Sequence, residues 1–135
     1  MEPVARSGGS RFLTFLARLQ GGFYLATGVW PLVAPASFQV VIGGKEDFWL
    51  AQTVGALIGI TGIVLLLAAR RATIAAEIAL LAALQAVALG IIDLYCVPLP
   101  NTTAVYYLDA VAEFCLAAGW AVGWWRQRRS GQFVS

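Results

Sequence analysis

The chain has 135 residues, 60% of them hydrophobic and only 12% charged, with a net charge of +2 and a mean hydropathy of +0.78. A soluble domain carries roughly twice that charge fraction, and its helices keep a polar face, whereas the long segments here are apolar all round. The basic surplus lies in short arginine clusters rather than a basic, aromatic-interleaved stripe, which speaks against nucleic acid as a partner.

Histidine is absent. That removes the commonest metal ligand and the commonest general base, so no metal, no cofactor and no catalytic residue is implied. Four hydrophobic spans are predicted, at residues 12–33, 48–69, 74–97 and 104–125. Each reaches the roughly 20 residues that a helix needs to cross about 30 Å of hydrocarbon. The expected fold is all-α: an integral membrane four-helix bundle made of two helical hairpins. It forms a single membrane domain over residues 1–135, with the lipid bilayer as its solvent.

Arg6 and Arg11 precede the first span, and Arg18 interrupts it. No small-x-small cleavage site follows before Trp30-Pro31, so this segment reads as a retained helix and not as a signal peptide. Pro31 and Pro35 end it. The link over 34–47 is the longest, with a short interfacial helix expected over 37–42 and a turn at Gly43-Gly44. The second and third spans are joined by Arg70-Arg71. The third ends at Pro98 and Pro100, and a tight hairpin over 98–103 leads into the fourth. That span is followed by Arg126, Arg128 and Arg129.

With four spans, all of these arginine-bearing segments flanking the spans share one side. The opposite side carries only Lys45 among basic residues. Positive charge stays cytoplasmic, which predicts a multi-pass cell-membrane protein with both termini cytoplasmic. Trp30, Trp49, Tyr95, Tyr106, Tyr107, Trp124 and Trp125 fall near span ends, where amphipathic rings anchor at the interface.

Small residues let membrane helices approach. They recur as Gly22 and Ala26 in the first span and as Ala51, Gly55 and Gly59 in the second. The third has Ala82, Ala86 and Gly90, and the fourth Cys115, Gly119 and Gly123 beside Ala117 and Ala121. These faces suit a tight bundle, and equally a homodimer or another membrane-protein partner. In each hairpin the first helix ends in paired prolines and the second opens with aromatics before a small-residue ridge, as a diverged repeat would leave them. Cys96 and Cys115 lie at different depths and form no CxxC, so they read as packing residues and not as a disulfide.

Specific chemistry rests with the intramembrane charges, which are costly in hydrocarbon and turn toward protein or water. Asp93 follows Gly90 by three residues and shares its stripe. Asp109 lies at a similar depth on the fourth span, and Glu113, four residues on, shares its face. Carboxyls clustered at low dielectric disfavour ionising together. Tyr106 and Tyr107 lie close by, Tyr95 is near in sequence though on a different face from Asp93, and Arg18 is the expected counter-ion, reaching toward Glu113 or Glu77. Gln52 and Gln85 add hydrogen-bonding capacity. The candidate ligand-binding set is therefore Asp93, Asp109, Glu113, Tyr95, Tyr106 and Arg18. Acids ringed by aromatics suit a cationic or amphipathic ligand, or proton handling. The structural alternative places Asp93 and Asp109 at headgroup level, bonded to tyrosines, with Asp109 favoured by the start of its helix.

Several features together resemble small bacterial inner-membrane proteins of the DoxX-like type. These are Arg18 early in helix one, the run Gly28-Val29-Trp30-Pro31 leading to Pro35, Trp49-Leu50 opening helix two, and Asp109-Ala110-Val111-Ala112-Glu113 in helix four. That resemblance spans nearly the whole chain and implies the four-helix fold more than an activity. Small multidrug exporters differ in carrying a membrane glutamate in helix one, where this chain has Arg18. The sterol-isomerase and sigma-2-receptor group differs in needing, for isomerase activity, a histidine that is absent here. Two functions are expected to compete: an acidic, aromatic-lined ligand pocket in the outer half of the bundle, and an accessory subunit held to a partner by a glycine-rich face. A membrane enzyme acting on lipid or quinone ranks below both.

Overall fold

The computed structural model describes residues 8–44, 46–96 and 103–129. Among them the chain is all-helical, with five helices: α1 (Gly8–Val33), α2 (Pro35–Ile42), α3 (Phe48–Ala68), α4 (Ala76–Cys96) and α5 (Val105–Arg129). The boundaries follow from local chemistry. Ala34 sits outside helical geometry at φ −139° and ψ 64°, as expected of a residue before proline. Pro35 opens α2, where its missing N–H leaves no bond unmade. The chain there turns by 113°. α2 stops at Gly43, whose φ of 93° is open to glycine at little cost. Glu77 lies in the first turn of α4, and Arg126, Arg128 and Arg129 lie in the last turn of α5. Both placements complement the helix dipole.

Three helices, α3, α4 and α5, are long and apolar enough to cross a membrane, and a fourth span is counted if α1 and the bent α2 form one. Their surfaces are inverted relative to a soluble protein. Leu57, Ile60, Leu84, Ile91 and Val111 face outward, while Gln20, Asp93 and Glu113 are buried. Lipid is as apolar as these exposed side chains, so such a surface costs nothing there. Trp49, Tyr95, Tyr107 and Trp125 also point outward near helix ends.

α1 packs most extensively on α3, α4 on α5, and α1 more lightly on α5. The α1–α3 seam brings backbone against backbone. A Cβ at Gly28 would strike the Gly55 carbonyl and lie 2.6 Å from the Gly59 nitrogen, and one at Gly62 would lie 2.6 Å from Leu25 N. On α4, Gly90 meets the Phe114 ring of α5, and on α5 Gly119 meets Leu16 of α1. Two sequence expectations are corrected here. The small face of α1 is Gly21 and Gly28, since Gly22 and Ala26 are exposed. The Gly55/Gly59 face of α3 is covered by α1 within the same chain and is not free to hold a partner.

One end of the molecule collects the described arginine segments. Ser10 Oγ, beside Arg11, donates to Ala72 O in the α3–α4 link at 3.2 Å, and Gly123 near the end of α5 abuts Phe12 and Leu13. The expectations for Arg6, Lys45, Pro98 and Pro100 lie outside the described residues, as does the Cys96 side chain. Cys115 is exposed and unpaired.

The seam makes a sharp prediction. Gly28→Ala should lower stability by roughly 1–3 kcal/mol, because a rigid backbone stands where the methyl must go. Gly59→Ala should stay within roughly 0.5 kcal/mol of the native protein, since the nearest atom to its added Cβ is 3.9 Å away. Thermal melts of the two variants in detergent read the difference, and equal effects would contradict the seam.

Candidate functional site

At the end opposite the arginines the helices part around a cavity of about 830 Å³. The cause is the pairing itself. α1 is drawn onto α3, and α4 onto α5, while α3 barely touches α4. The cavity takes Tyr24 and Thr27 from α1, Val54 and Ile58 from α3, Asp93 from α4, and Tyr106, Asp109 and Glu113 from α5. α2 closes over it with Phe38, Val41 and Ile42.

That roof is tied at both ends. Trp30 Nε1 donates to Ser37 Oγ at 2.8 Å, and Ser37 Oγ donates to Ala34 O at 3.0 Å. The Trp30 ring meets Phe38 edge-on at 5.5 Å between centroids, and Phe38 lies 6.1 Å from Phe48. At the far end Thr103 Oγ1, just before α5, donates to Val41 O at 2.8 Å. Gln52 of α3 reaches across to Pro31 O at 3.2 Å.

Glu113 is 1% exposed, and its Oε2 accepts from the buried Tyr24 hydroxyl at 2.7 Å. Asp93 is 6% exposed. Its carboxyl faces that of the half-buried Asp109 within hydrogen-bonding range, yet Asp93 Oδ2 has no donor. Two carboxyls bond to each other only when one carries a proton. Glu46 and Asp47, ahead of α3, add two more carboxyls to the lining. Among the described lining residues none is basic. No set of three or more His, Cys, Asp or Glu among the described residues is disposed to hold a metal ion.

Beyond Glu113 the interior closes. Gln20 donates from Nε2 to Ala82 O at 3.0 Å and accepts at Oε1 from Trp120 Nε1 at 2.6 Å. This layer ties α1, α4 and α5. Leu13, Leu16 and Leu65 fill the space behind it.

The structure therefore brings together Asp93, Asp109, Glu113 and Tyr106 from the sequence-predicted set. It does not bring Tyr95 or Arg18. Tyr95 is 75% exposed, two residues from Asp93 and so on another side of α4. Arg18 is exposed on α1 and absent from the cavity wall, because the inward stripe of that helix runs through Ala17, Gln20 and Tyr24. Tyr24 takes the place beside Glu113 expected for Arg18, and Glu77 is likewise exposed. Sequence reasoning missed Tyr24, Gln20 and Trp120. A signal was present: Gln20 and Tyr24 are polar-bearing residues four apart in an apolar run, and therefore on one helix face.

No protein-family model matches the chain, and no curated protein or solved structure does. The site must be read from its own chemistry.

Removing the Tyr24 hydroxyl leaves a buried carboxyl without its donor. Tyr24→Phe should cost roughly 1–3 kcal/mol. In a double-mutant cycle with Glu113→Gln the two changes should couple by at least about 0.5 kcal/mol. Detergent melts of the four proteins measure this, and strict additivity would show that the pair does not interact.

Proposed function

We propose that the protein is a small polytopic membrane protein that binds, or carries, a small amphipathic or cationic ligand in the acidic, aromatic-rimmed cavity. In this reading α1, α3, α4 and α5 form a four-helix membrane bundle, α2 lies at the outer surface, and both termini are cytoplasmic. The gathering of the described arginines at one end supports that orientation. The DoxX-like resemblance supports the fold and adds no ligand.

The observation that carries the functional reading is a buried carboxyl, Asp93, with a donor-less oxygen at the wall of a large cavity. An acid kept only for packing would have its acceptors filled, as Glu113 Oε2 is by the Tyr24 hydroxyl. An intramembrane acid left wanting is costly, and such costs persist at functional positions. The cavity lies at one end and is blocked beyond Glu113 by Gln20 and Trp120, which favours binding over an open path. The cover that α1 places over Gly55 and Gly59 weighs against the accessory-subunit alternative built on that face.

Binding is tested by thermal shift in lipid nanodiscs with a panel of lipophilic amines and their uncharged analogues. Ligands that bind the native state alone raise its melting temperature. The charged members should do so for the native protein and fail for Asp93→Asn/Asp109→Asn. That variant should itself melt no lower than the native protein, because asparagine can donate where carboxylate cannot. A variant that melts markedly lower, with no amine shifting the native protein, would instead mark the acids as structural. Orientation has its own check. In a cysteine-free background, Asp47→Cys should react with an impermeant maleimide from outside the cell, and Arg71→Cys only after the membrane is opened.

A further inference from the structure

The cavity has one apolar wall and one acidic wall. α3 contributes Leu50, Ala51, Val54 and Ile58, and the deep carboxyls stand on α4 and α5. Those carboxyls are not equivalent. Glu113 has its donor in Tyr24. Asp93 and Asp109 have chiefly each other, at hydrogen-bonding range, with Asp93 Oδ2 buried and unpartnered. The titratable groups around this pair are Glu113 and Tyr106 on α5, Tyr24 on α1, and Glu46 and Asp47 ahead of α3. The described lining residues of α2 and α3 include none. Nothing described at the cavity wall brings a positive charge to the pair. Two adjoining negative charges in a low-dielectric site repel strongly, and a bond between the carboxyls requires a proton.

Resting on the function proposed above, we infer that the Asp93–Asp109 pair is an ammonium subsite that gives up its shared proton when a lipophilic organic cation enters. The free pair has one proton and one negative charge. The occupied pair has no proton and two negative charges facing the ligand's one positive charge, so the net charge of the site is unchanged. One O–H bond breaks, and the proton leaves to water at the mouth. The ligand's apolar part lies along Leu50, Val54 and Ile58, which a bare metal ion would leave unfilled. Trp30 and Phe38 add aromatic rings to the lining, a residue type that attracts alkylated ammonium groups. The sparse contact between α3 and α4 gives a hydrophobic molecule a way in from the side.

The test uses the full chain in lipid nanodiscs and trimethyl(phenylbutyl)ammonium, a quaternary cation with no acidic proton of its own. Titration calorimetry in two buffers of different ionisation enthalpy reads affinity and proton release separately. Binding should release about one proton per probe, and the uncharged carbon isostere should release none. Asp93→Asn and Asp109→Asn should each abolish the release and weaken binding at least about tenfold. Glu113→Gln should keep the release for whatever probe it binds, and Glu77→Gln, at the far end of α4, should match the native protein. The native measurement stands even if a variant fails to fold. Saturable binding with no proton released, or release that survives Asp93→Asn, overturns this inference and leaves the proposed function standing. No binding of the probe or of any cation in the panel overturns both.

Discussion

The α1–α3 glycine seam is the constraint from which the rest of the architecture follows. At Gly28, Gly55 and Gly62 the two backbones approach so closely that not even a methyl group fits. Helices held that near leave little room between themselves and correspondingly more elsewhere. α4 and α5 make a second tight pair through Gly90 and Phe114. The two pairs are joined mainly along α1 and α5, so the space between α3 and α4 stays open. The cavity is thus a by-product of where the smallest side chains lie. It sits toward the proline-bearing end because there α1 stops at Val33 and the chain turns away into α2.

Polar groups inside follow a different rule from that of the surface. Outward positions need only be apolar, so Leu, Ile and Val alternate there without specific partners. Inward polar positions need exact partners, because no water replaces a missing bond. Tyr24 with Glu113, and Gln20 with Trp120 and Ala82 O, meet that demand. Asp93 Oδ2 does not meet it, and neither does Thr14 Oγ1: both atoms are buried without a hydrogen-bond partner.

Much of this was legible in the sequence, for reasons that are local. Helix extents follow hydropathy and length, and the helices found lie within about a turn of the segments expected. The break at Ala34-Pro35 and the stop at Gly43 are written in residue types. Asp93, Asp109 and Glu113 could be placed together because their spacing to each other and to Gly90 fixes a face. Rotational phase on α1 was not legible in the same way. Gly22 and Ala26 make a face as small as that of Gly21 and Gly28, and which of the two turns inward depends on α3, a partner distant in sequence. The same phase carries Arg18 outward and Tyr24 inward. Tyr95, two residues from Asp93, lies on the other face of α4 as its spacing requires, and is exposed.

The two hydrogen-bonded rungs between α1 and α5 have a mechanical meaning. Gln20 pairs with Trp120 and Tyr24 with Glu113, in the order that antiparallel helices demand. Sliding α1 along α5 by a single turn would break both rungs at once, and would also drag Gln20 off Ala82 O. The glycine seam opposes a similar slip against α3, because Gly28, Gly55 and Gly62 each meet backbone of the facing helix. The long helices are therefore locked axially, like a bolt seated in two threads. α2 lies between two breaks in the helical path, Ala34 on one side and Gly43 on the other. Among the described residues, its hydrogen bonds to the rest of the chain reach only its two ends, through Ser37 and Val41, while the frame beneath is held along its length.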